Sequence, residues 1–278
     1  MDNMRHLCNG LTDWADLGAS SGDGLLWIRE WFNVTAVGLD IDPSKVRLCK
    51  ERGLKCVQAD VAHLTRVGKC FKIVSMLHVL EHLPTRHTGR RVFRLATSLA
   101  SDMVIFRGPL WSTRAFEGTG LGFYFTNWSG HRSLFDLQDI LAAIHGAKES
   151  WIILQAFAVG RVTDSDDYSI VPVKRAARNA PRYRSFFGPK PDPPIKFQPP
   201  LFRELFVILR KENLPDQQFA TYLLERLERY KSYLQRQKGT ANLAHYNFTT
   251  QELQFSAQFH GHMLEQVKLR RTQPFRGD

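Results

Sequence analysis

The chain has 278 residues, 43% of them hydrophobic, and a formal net charge of +11 at pH 7. This length is enough for one large α/β domain with an appendage, and no window approaches the unbroken apolar length of a membrane span. The polar start, Met-Asp-Asn-Met-Arg-His, is not typical of a signal peptide. The four cysteines lack the paired spacing of a zinc site, so we expect no metal and reduced thiols in a cytoplasmic protein.

A glycine-spaced loop follows the first apolar run, Trp14–Leu17, and the segment 25–32 then reads as a helix. Strand, glycine loop and helix form the first unit of a nucleotide-binding α/β domain. The dinucleotide fingerprint is excluded, because Ser20 and Asp23 stand where that pattern needs glycine, and the lysine of a P-loop is missing. A carboxylate at Asp16 repels phosphate and favours a cationic ligand, such as an ammonium or a sulfonium.

Three further predicted strands also end in polar residues. The apolar segment 34–42 ends in Asp40-Ile-Asp42, the segment 55–60 ends in Asp60, and the segment 71–84 contains His78. Because the carboxyl ends of parallel strands meet at one edge of a sheet, these groups are expected to line a ligand site there. The same acids are also typical caps of turns and helices, which is the alternative interpretation.

Together, four motifs over the first 110 residues resemble the class I S-adenosylmethionine-dependent methyltransferases. They are Asp16-Leu-Gly-Ala-Ser-Ser-Gly22, Val37-Gly-Leu-Asp-Ile-Asp42, Gln58-Ala-Asp60 and Val79-Leu-Glu-His-Leu-Pro84. The resemblance implies a doubly wound α/β fold with a seven-stranded, mostly parallel sheet. It also implies S-adenosylmethionine as the cofactor.

By that resemblance, Asp16, Gly18 and Gly22 hold the methionine end of the cofactor. The family usually has glycine at the position of Ser20, so the loop is expected to lie slightly differently here.

The resemblance likewise assigns the ribose hydroxyls to Asp40, the adenine face to Ile41 and the adenine amino group to Asp60. His78 is placed near the transferable methyl group. The complete set of cofactor-binding residues predicted is Asp16, Gly18, Ala19, Ser20, Gly22, Asp40, Ile41, Asp60, Val61 and His78.

A long loop, 107–131, follows the predicted fifth strand at 102–106 and is expected to lie over the methyl-donor end. Its aromatic residues are Trp111, Phe116, Phe123, Tyr124, Phe125 and Trp128. Such a wall excludes water and can hold an apolar or ring-containing acceptor, unless the aromatics are ordinary core. The candidate catalytic residues are His131, as a general base with a pKa near neutrality, and His78. His82 is expected to be structural.

The rest of the first domain, 1–213, is predicted from periodicity. A helix over 86–100 presents Arg86, Arg90, Arg91 and Arg94 outward, and a second helix covers 134–144. The segment 150–160 is the sixth strand, and 205–210 is the last, antiparallel to it. A basic, proline-rich insert at 174–200 is expected to lack regular structure.

The segment 214–278 is predicted to be a helical hairpin. Residues Phe219, Tyr222, Leu223, Leu227, Tyr230 and Leu234 repeat at helical spacing before Gly239. Thr249-Thr-Gln-Glu252 resembles a capping box that opens a second helix, with Leu253, Ala257, His260, Leu264 and Val267 on one face. The hairpin is expected to pack on its own domain, with an oligomer interface as the alternative.

These features predict an S-adenosylmethionine-dependent methyltransferase that works by in-line displacement. The Leu80-Glu-His-Leu-Pro84 form resembles enzymes acting on small molecules, lipids, quinones and sugars, so the expected acceptor is a small-molecule, lipid or glycan group, anionic ones included. The positive charge keeps RNA as the alternative acceptor, which predicts that the arginines of the insert and of 86–94 share a face with the pocket mouth. A non-catalytic, cofactor-binding partner subunit is a third hypothesis.

Overall fold

A computed structural model describes residues 12–64, 68–110, 114–126, 128, 130–145, 150–172, 190–212, 217–247 and 252–255. The strands are β1 (Trp14–Leu17), β2 (Ala36–Asp40), β3 (Cys56–Gln58), β4 (Phe71–Leu77), β5 (Ala100–Pro109), β6 (Leu121–Phe123), β7 (Trp151–Asp164), β8 (Ile170–Pro172), β9 (Lys196–Lys211), β10 (Thr240–Asn247) and β11 (Glu252–Phe255). The helices are α1 (Asp23–Phe32), α2 (Pro43–Glu51), α3 (Arg86–Leu99), α4 (Leu137–His145) and α5 (Gln217–Lys238), with 3-10 turns at Leu80–His82 and Arg114–Phe116.

The main sheet has the strand order β11-β10-β7-β9-β5-β4-β1-β2-β3. Strands β1 to β5 run parallel, whereas β9 lies antiparallel between β5 and β7. The predicted seven-stranded, mostly parallel α/β sheet is therefore confirmed. Two further antiparallel strands, β10 and β11, extend it beyond β7, and β6 pairs with β8 in a separate small sheet.

Helices cover both faces of the sheet, as the buried strands require. On one face, α1 packs through Leu25, Ile28 and Phe32 beside α5, whose Leu227 and Tyr230 lie in the same core. On the other face, a second core holds the apolar sides of α3 and α4. The predicted helix after residue 214 is confirmed as α5, which packs on its own domain and ends at Lys238, directly before Gly239.

The prediction of a second helix in the C-terminal hairpin is wrong for the residues that the structure describes. Residues 252–255, at the predicted start of that helix, form β11 instead, with Leu253 paired to Tyr246 of β10. Residues 240–247 between the two predicted helices form β10, with Ala244 paired to Ala156 of β7. β10 covers the open edge of β7, which would otherwise present unpaired backbone groups. The pairing of β11 with β10 then overrides the local capping-box signal. The predicted face Ala257, His260, Leu264 and Val267 lies outside the described residues.

The predicted outward orientation of the α3 arginines is also wrong for Arg86 and Arg90, whereas Arg91 is exposed as predicted. Arg86 Nε lies 3.0 Å from Asp139 Oδ2, and Arg90 Nε lies 2.8 Å from Asp139 Oδ1. Arg91 donates to the carbonyl oxygen of Ala62. Burial would raise the pKa of Asp139, but the hydrogen bond and charge of Arg86 hold that pKa below its usual value. These side chains therefore join α3 to α4 and to the 60–63 turn.

Prolines do not prevent regular structure at the end of the basic insert. The strand β9 begins at Lys196 and includes Pro199 and Pro200. The register to β7 shifts between Val162 and Asp164, so the prolines lie where the ladder is interrupted and no backbone donor is needed. Residues 174–189 of the insert lie outside the described residues.

The cysteines are not all reduced thiols. Cys49 and Cys56 are free and buried, but Cys70 is disulfide-bonded, and Cys8 lies outside the described residues. The spacing of cysteines in a sequence does not reveal which sulfur atoms the fold brings together. Within the described residues, no helix is long and apolar enough to cross a membrane. The cytoplasmic location stays a prediction.

Candidate active site

The loop between β1 and α1 adopts an unusual backbone conformation. Gly18, Ser20 and Gly22 have φ angles of 78°, 50° and 95°, the left-handed region that favours glycine. The N–H groups of Gly18 and Ala19 donate to the carbonyl oxygen of Leu39 at 2.7 and 2.9 Å. The loop is thereby fixed against the carboxyl end of β2.

Two glycines in this region allow close approach. A Cβ on Gly18 would lie 2.3 Å from Val79 Cγ2, and a Cβ on Gly24 would lie 2.3 Å from Asp16 Oδ2. A Cβ on Gly22 would instead meet Leu54 Cδ1 at 2.6 Å. Gly22 therefore serves the packing of the loop against the segment after α2.

The carboxylate of Asp16 is buried at the end of β1. Its Oδ1 accepts a 2.6 Å hydrogen bond from Ser75 Oγ of β4. Burial raises the pKa of Asp16 to about 7, although the Ser75 hydrogen bond lowers it and the charge of Asp40 adds to the rise. An ionised Asp16 is thus costly unless a cationic group lies beside it.

Asp40 organises the end of β2. Its Oδ2 accepts from the Ser20 N–H at 2.7 Å, and its Oδ1 accepts from the Asp42 N–H at 2.9 Å. The left-handed backbone of Ser20 gives a physical reason why glycine is usual at that position. The next residue, Ile41, is 61% exposed, which is unusual for so large an apolar side chain.

Asp60 lies after β3 and caps the following turn. Its Oδ1 accepts from the Ala62 N–H at 2.9 Å, and its Oδ2 lies 2.5 Å from His63 Nδ1. The Ala59 N–H donates to the carbonyl oxygen of Asp40 at 2.9 Å, so the ends of β2 and β3 are joined.

A cleft of about 410 Å³ opens along the loop. Its lining residues are Asp16, Gly18, Ala19, Ser20, Asp23, Gly24, Trp27, Leu77, His78, Arg107 and Phe206. Five of the ten predicted cofactor residues line this cleft. The other five are Gly22, Asp40, Ile41, Asp60 and Val61, which lie outside the lining.

Sequence reasoning missed Arg107, Trp27 and Phe206 in this cleft. Of these three residues, Arg107 alone could have been recognised from the sequence, because it is a charged residue near the carboxyl end of the apolar β5. Trp27 and Phe206 had no such signal, since they look like ordinary apolar positions of a helix and a strand.

A second cavity of about 250 Å³ adjoins the first. It is lined by His78, Glu81, His82, Pro109, Tyr124, Phe125, Trp128, His131, Tyr168, Arg203 and Glu204. Three aromatics of the predicted loop therefore line a cavity, as expected. Phe116 and Phe123 instead pack in a separate core with Ile170 and Leu201, and Trp111 lies outside the described residues.

The His131 ring lies inside this aromatic cavity. Its Nδ1 lies 3.0 Å from the carbonyl oxygen of Phe125, and its ring centre lies 4.5 Å from that of Trp128 and 4.8 Å from that of His82. Burial lowers the pKa of His131 to about 4, in spite of the nearby charge of Glu81. His131 is therefore neutral at physiological pH.

His78 lines both cavities and lies between two carboxylates. Its Nδ1 lies 3.2 Å from Glu81 Oε1, and its Nε2 lies 3.8 Å from Glu204 Oε1. The backbone of His78 has a φ of 56° and donates to the carbonyl oxygen of Arg107 at 2.7 Å. Arg107 Nη2 in turn lies 2.6 Å from Glu204 Oε2, so an ion pair supports the wall beside His78.

Comparison with known families finds a match for the part of the chain that contains the glycine loop. Residues 15–101 match a family described as a methyltransferase domain. This part of the chain is therefore similar to a methyltransferase domain. The matched residues include the glycine loop, Asp40 and His78.

Solved structures similar to this chain include the YcgJ protein of Bacillus subtilis, with 14% identity and a TM-score of 0.49. The similarity covers 74% of this chain and 94% of that one. Magnesium protoporphyrin IX methyltransferase of Synechocystis has 15% identity and a TM-score of 0.43, and the similarity covers 75% of this chain and 78% of that one. The amino pentose methyltransferase CalS10 of Micromonospora echinaspora has 20% identity and a TM-score of 0.34, over 44% and 52%. A comparison with curated proteins finds no match.

Proposed function

We propose that this chain moves a methyl group from S-adenosylmethionine to a small-molecule, lipid or glycan acceptor held in the aromatic cavity. The observation that carries the proposal is the position of His78, which lines both the glycine-loop cleft and the aromatic cavity. A cofactor in the first and an acceptor in the second would meet at this residue.

The residues of the cleft suit the cofactor. The buried Asp16 carboxylate offers a negative charge to the cationic methionine end. The absence of a Cβ at Gly18 and Gly24 lets the loop pack against Val79 and lets α1 begin beside Asp16. We assign the ribose to Asp40, the adenine face to the exposed Ile41, and the adenine amino group to Asp60. The remaining predicted residues, Ala19, Ser20, Gly22 and Val61, shape the loop and its surroundings.

The sulfonium of S-adenosylmethionine supplies an already reactive methyl group, so the protein mainly contributes orientation. The acceptor atom forms a bond to the methyl carbon as the carbon–sulfur bond breaks, and S-adenosylhomocysteine leaves. His78 takes the acceptor's proton, and the carboxylates of Glu81 and Glu204 stabilise the resulting imidazolium. His131, whose pKa lies near 4, is a weak base at neutral pH, so we assign it the positioning of the acceptor.

The surroundings of three described arginines favour a small acceptor over RNA. Arg86 and Arg90 bind Asp139, and Arg203 Nη1 lies 2.9 Å from Asp167 Oδ2. These cations are thus neutralised within the chain, whereas an RNA site needs them for phosphates. The two adjoining cavities disfavour a non-catalytic partner with a blocked pocket. A partner that binds the cofactor without turnover is distinguished by a methyl-transfer assay.

The first experiment is calorimetric binding of S-adenosylmethionine to the purified chain. Asp40→Ala should abolish binding, while Asp166→Ala, which removes an exposed acid outside both cavities, should leave it unchanged. His78→Gln should retain the cofactor but lose methyl transfer in a screen of aromatic and phosphorylated small molecules. Turnover of RNA alone would overturn the acceptor class, and a lack of binding by the intact chain would overturn the assigned site.

A further inference from the structure

We infer that Glu81, His82 and His131 form a binding site for a divalent transition-metal ion in the wall of the aromatic cavity. Each residue offers one ligand atom, and the three atoms lie within 4.8 Å of one another. All three residues line the cavity of about 250 Å³. The inference goes beyond methyl transfer, and it differs from the expectation of no metal drawn from the sequence.

The carboxylate of Glu81 gives an independent indication of a missing cation. Glu81 is 2% exposed, and its Oε2 is buried without a hydrogen-bond partner. Among the described residues, its only ion-pair contact is the 3.2 Å approach of His78 Nδ1 to Oε1. A buried carboxylate oxygen without a partner is unfavourable, and a bound cation would compensate it directly.

The two imidazoles are held in the tautomer that a metal requires. His82 Nδ1 lies 2.8 Å from the carbonyl oxygen of Gly130, and His131 Nδ1 lies 3.0 Å from that of Phe125. A carbonyl oxygen only accepts, so each Nδ1 carries a hydrogen, and Nε2 is the nitrogen of each ring that would bind a metal. Hydrogen bonds from the second ring nitrogen to backbone carbonyls are the usual support of metal-binding histidines.

Backbone hydrogen bonds fix the two segments that carry these ligands. The N–H groups of Arg132 and Ser133 donate to the carbonyl oxygen of Glu81 at 2.8 and 3.1 Å. The His131 N–H donates to the carbonyl oxygen of Trp128 at 2.9 Å. The 3-10 turn at 80–82 and the loop at 128–133 are therefore joined directly beside the proposed ligands.

The ligand set indicates which ions fit. Two imidazoles and one carboxylate occur in zinc enzymes and in non-haem iron(II) sites, whereas calcium and magnesium prefer oxygen ligands. Ligand atoms bound at the usual zinc distances lie about 3.4 Å apart, so small inward rotations of these side chains would close the site. Three protein ligands leave one position open for an oxygen atom from outside.

The open position suggests what the ion does, and this step rests on the proposed function. An acceptor hydroxyl bound to the ion would have a lowered pKa and would attack the methyl group as an alkoxide. His78, which contacts Glu81, would take the proton that the hydroxyl releases. The inferred acceptor is therefore a hydroxyl compound, and the transfer is an O-methylation.

The test measures metal binding apart from catalysis. The purified full-length chain is stripped with EDTA, then titrated with Zn²⁺ by calorimetry and with Co²⁺ by visible absorption. We expect one ion per chain and the absorption bands of low-symmetry Co²⁺. Glu81→Gln and His82→Gln should each weaken Zn²⁺ binding more than about 100-fold, beyond the effect of losing an outer-shell partner. His145→Gln, which changes an exposed histidine at the end of α4, should leave the affinity unchanged.

Circular dichroism and S-adenosylmethionine affinity show whether each variant is folded, and His82→Gln carries the test if Glu81→Gln is unstable. No Zn²⁺ binding by the intact chain, or unchanged affinity in a folded variant, would overturn the inference. Asp40→Ala should lose the cofactor and keep Zn²⁺. The two titrations therefore separate a failure of the cofactor assignment from a failure of the metal site.

Discussion

Ser75 Oγ donates a 2.6 Å hydrogen bond to Asp16 Oδ1 across the boundary between β4 and β1. Ser75 Oγ itself accepts a 2.8 Å hydrogen bond from Trp14 Nε1, so a buried chain of polar groups holds the carboxylate in place. Burial nevertheless raises the pKa of Asp16 to about 7. The charge that faces the cleft therefore depends on pH within the physiological range.

Cofactor affinity should fall as the pH falls below 7. Only the ionised Asp16 attracts the cationic methionine end, so the affinity for S-adenosylmethionine should decrease about tenfold per pH unit below the pKa. Calorimetry between pH 5 and pH 8 measures this. Asp16→Asn should bind more weakly and show a flatter pH profile, and equal profiles for the two proteins would contradict the role of Asp16.

The stability of the cofactor-free protein should change with pH in the opposite direction. The pKa of Asp16 is higher in the folded state than in the unfolded state, so the folded state binds more protons between pH 4 and pH 7. The free energy of unfolding should therefore rise as the pH falls through this window, by up to about 1.4 kcal/mol per pH unit from this group. Urea unfolding of the chain and of Asp16→Asn isolates the contribution, because the other titrating groups are common to both.

The fold could be predicted where the sequence repeats a simple rule. Apolar strands that end in Asp16, Asp40 and Asp60 place these residues at one sheet edge in any parallel arrangement, and the structure has that arrangement. The last strands could not be predicted, because the pairing of 240–247 with β7 depends on an open edge that exists only in the folded chain.

The aromatic cavity shows a second limit of sequence reasoning. His82 and His131 are far apart in the sequence, and no local pattern predicts that the ring centres lie 4.8 Å apart. Their meeting depends on the hydrogen bonds of Glu81 to the 132–133 backbone, which are tertiary contacts. The same holds for Arg86 and Asp139, whose pairing turns a predicted solvent-facing arginine toward α4.

Removing the charge of Arg107 should destabilise the protein. Arg107 Nη2 lies 2.6 Å from Glu204 Oε2, and Nη1 lies 3.3 Å from the hydroxyl of Tyr230. Arg107→Met leaves Glu204 without its guanidinium partner in a largely buried place, so the free energy of unfolding should fall by about 2–4 kcal/mol. Adding Glu204→Gln should recover part of that loss, since the unpaired charge is then removed. A double variant no more stable than the single one would contradict this explanation.

Two glycines with similar backbones offer a matched test of the loop. Gly18 and Gly53 have φ angles of 78° and 70°, so alanine at either position costs about 1 kcal/mol of strain. A Cβ at Gly53 meets nothing within 4 Å, whereas one at Gly18 meets Val79 Cγ2 at 2.3 Å. Gly18→Ala should therefore lose about 1–3 kcal/mol more than Gly53→Ala in urea unfolding, and should weaken S-adenosylmethionine binding as the loop shifts. Equal losses of stability in the two variants, with cofactor affinity retained in both, would contradict a steric clash between the added Cβ at position 18 and Val79.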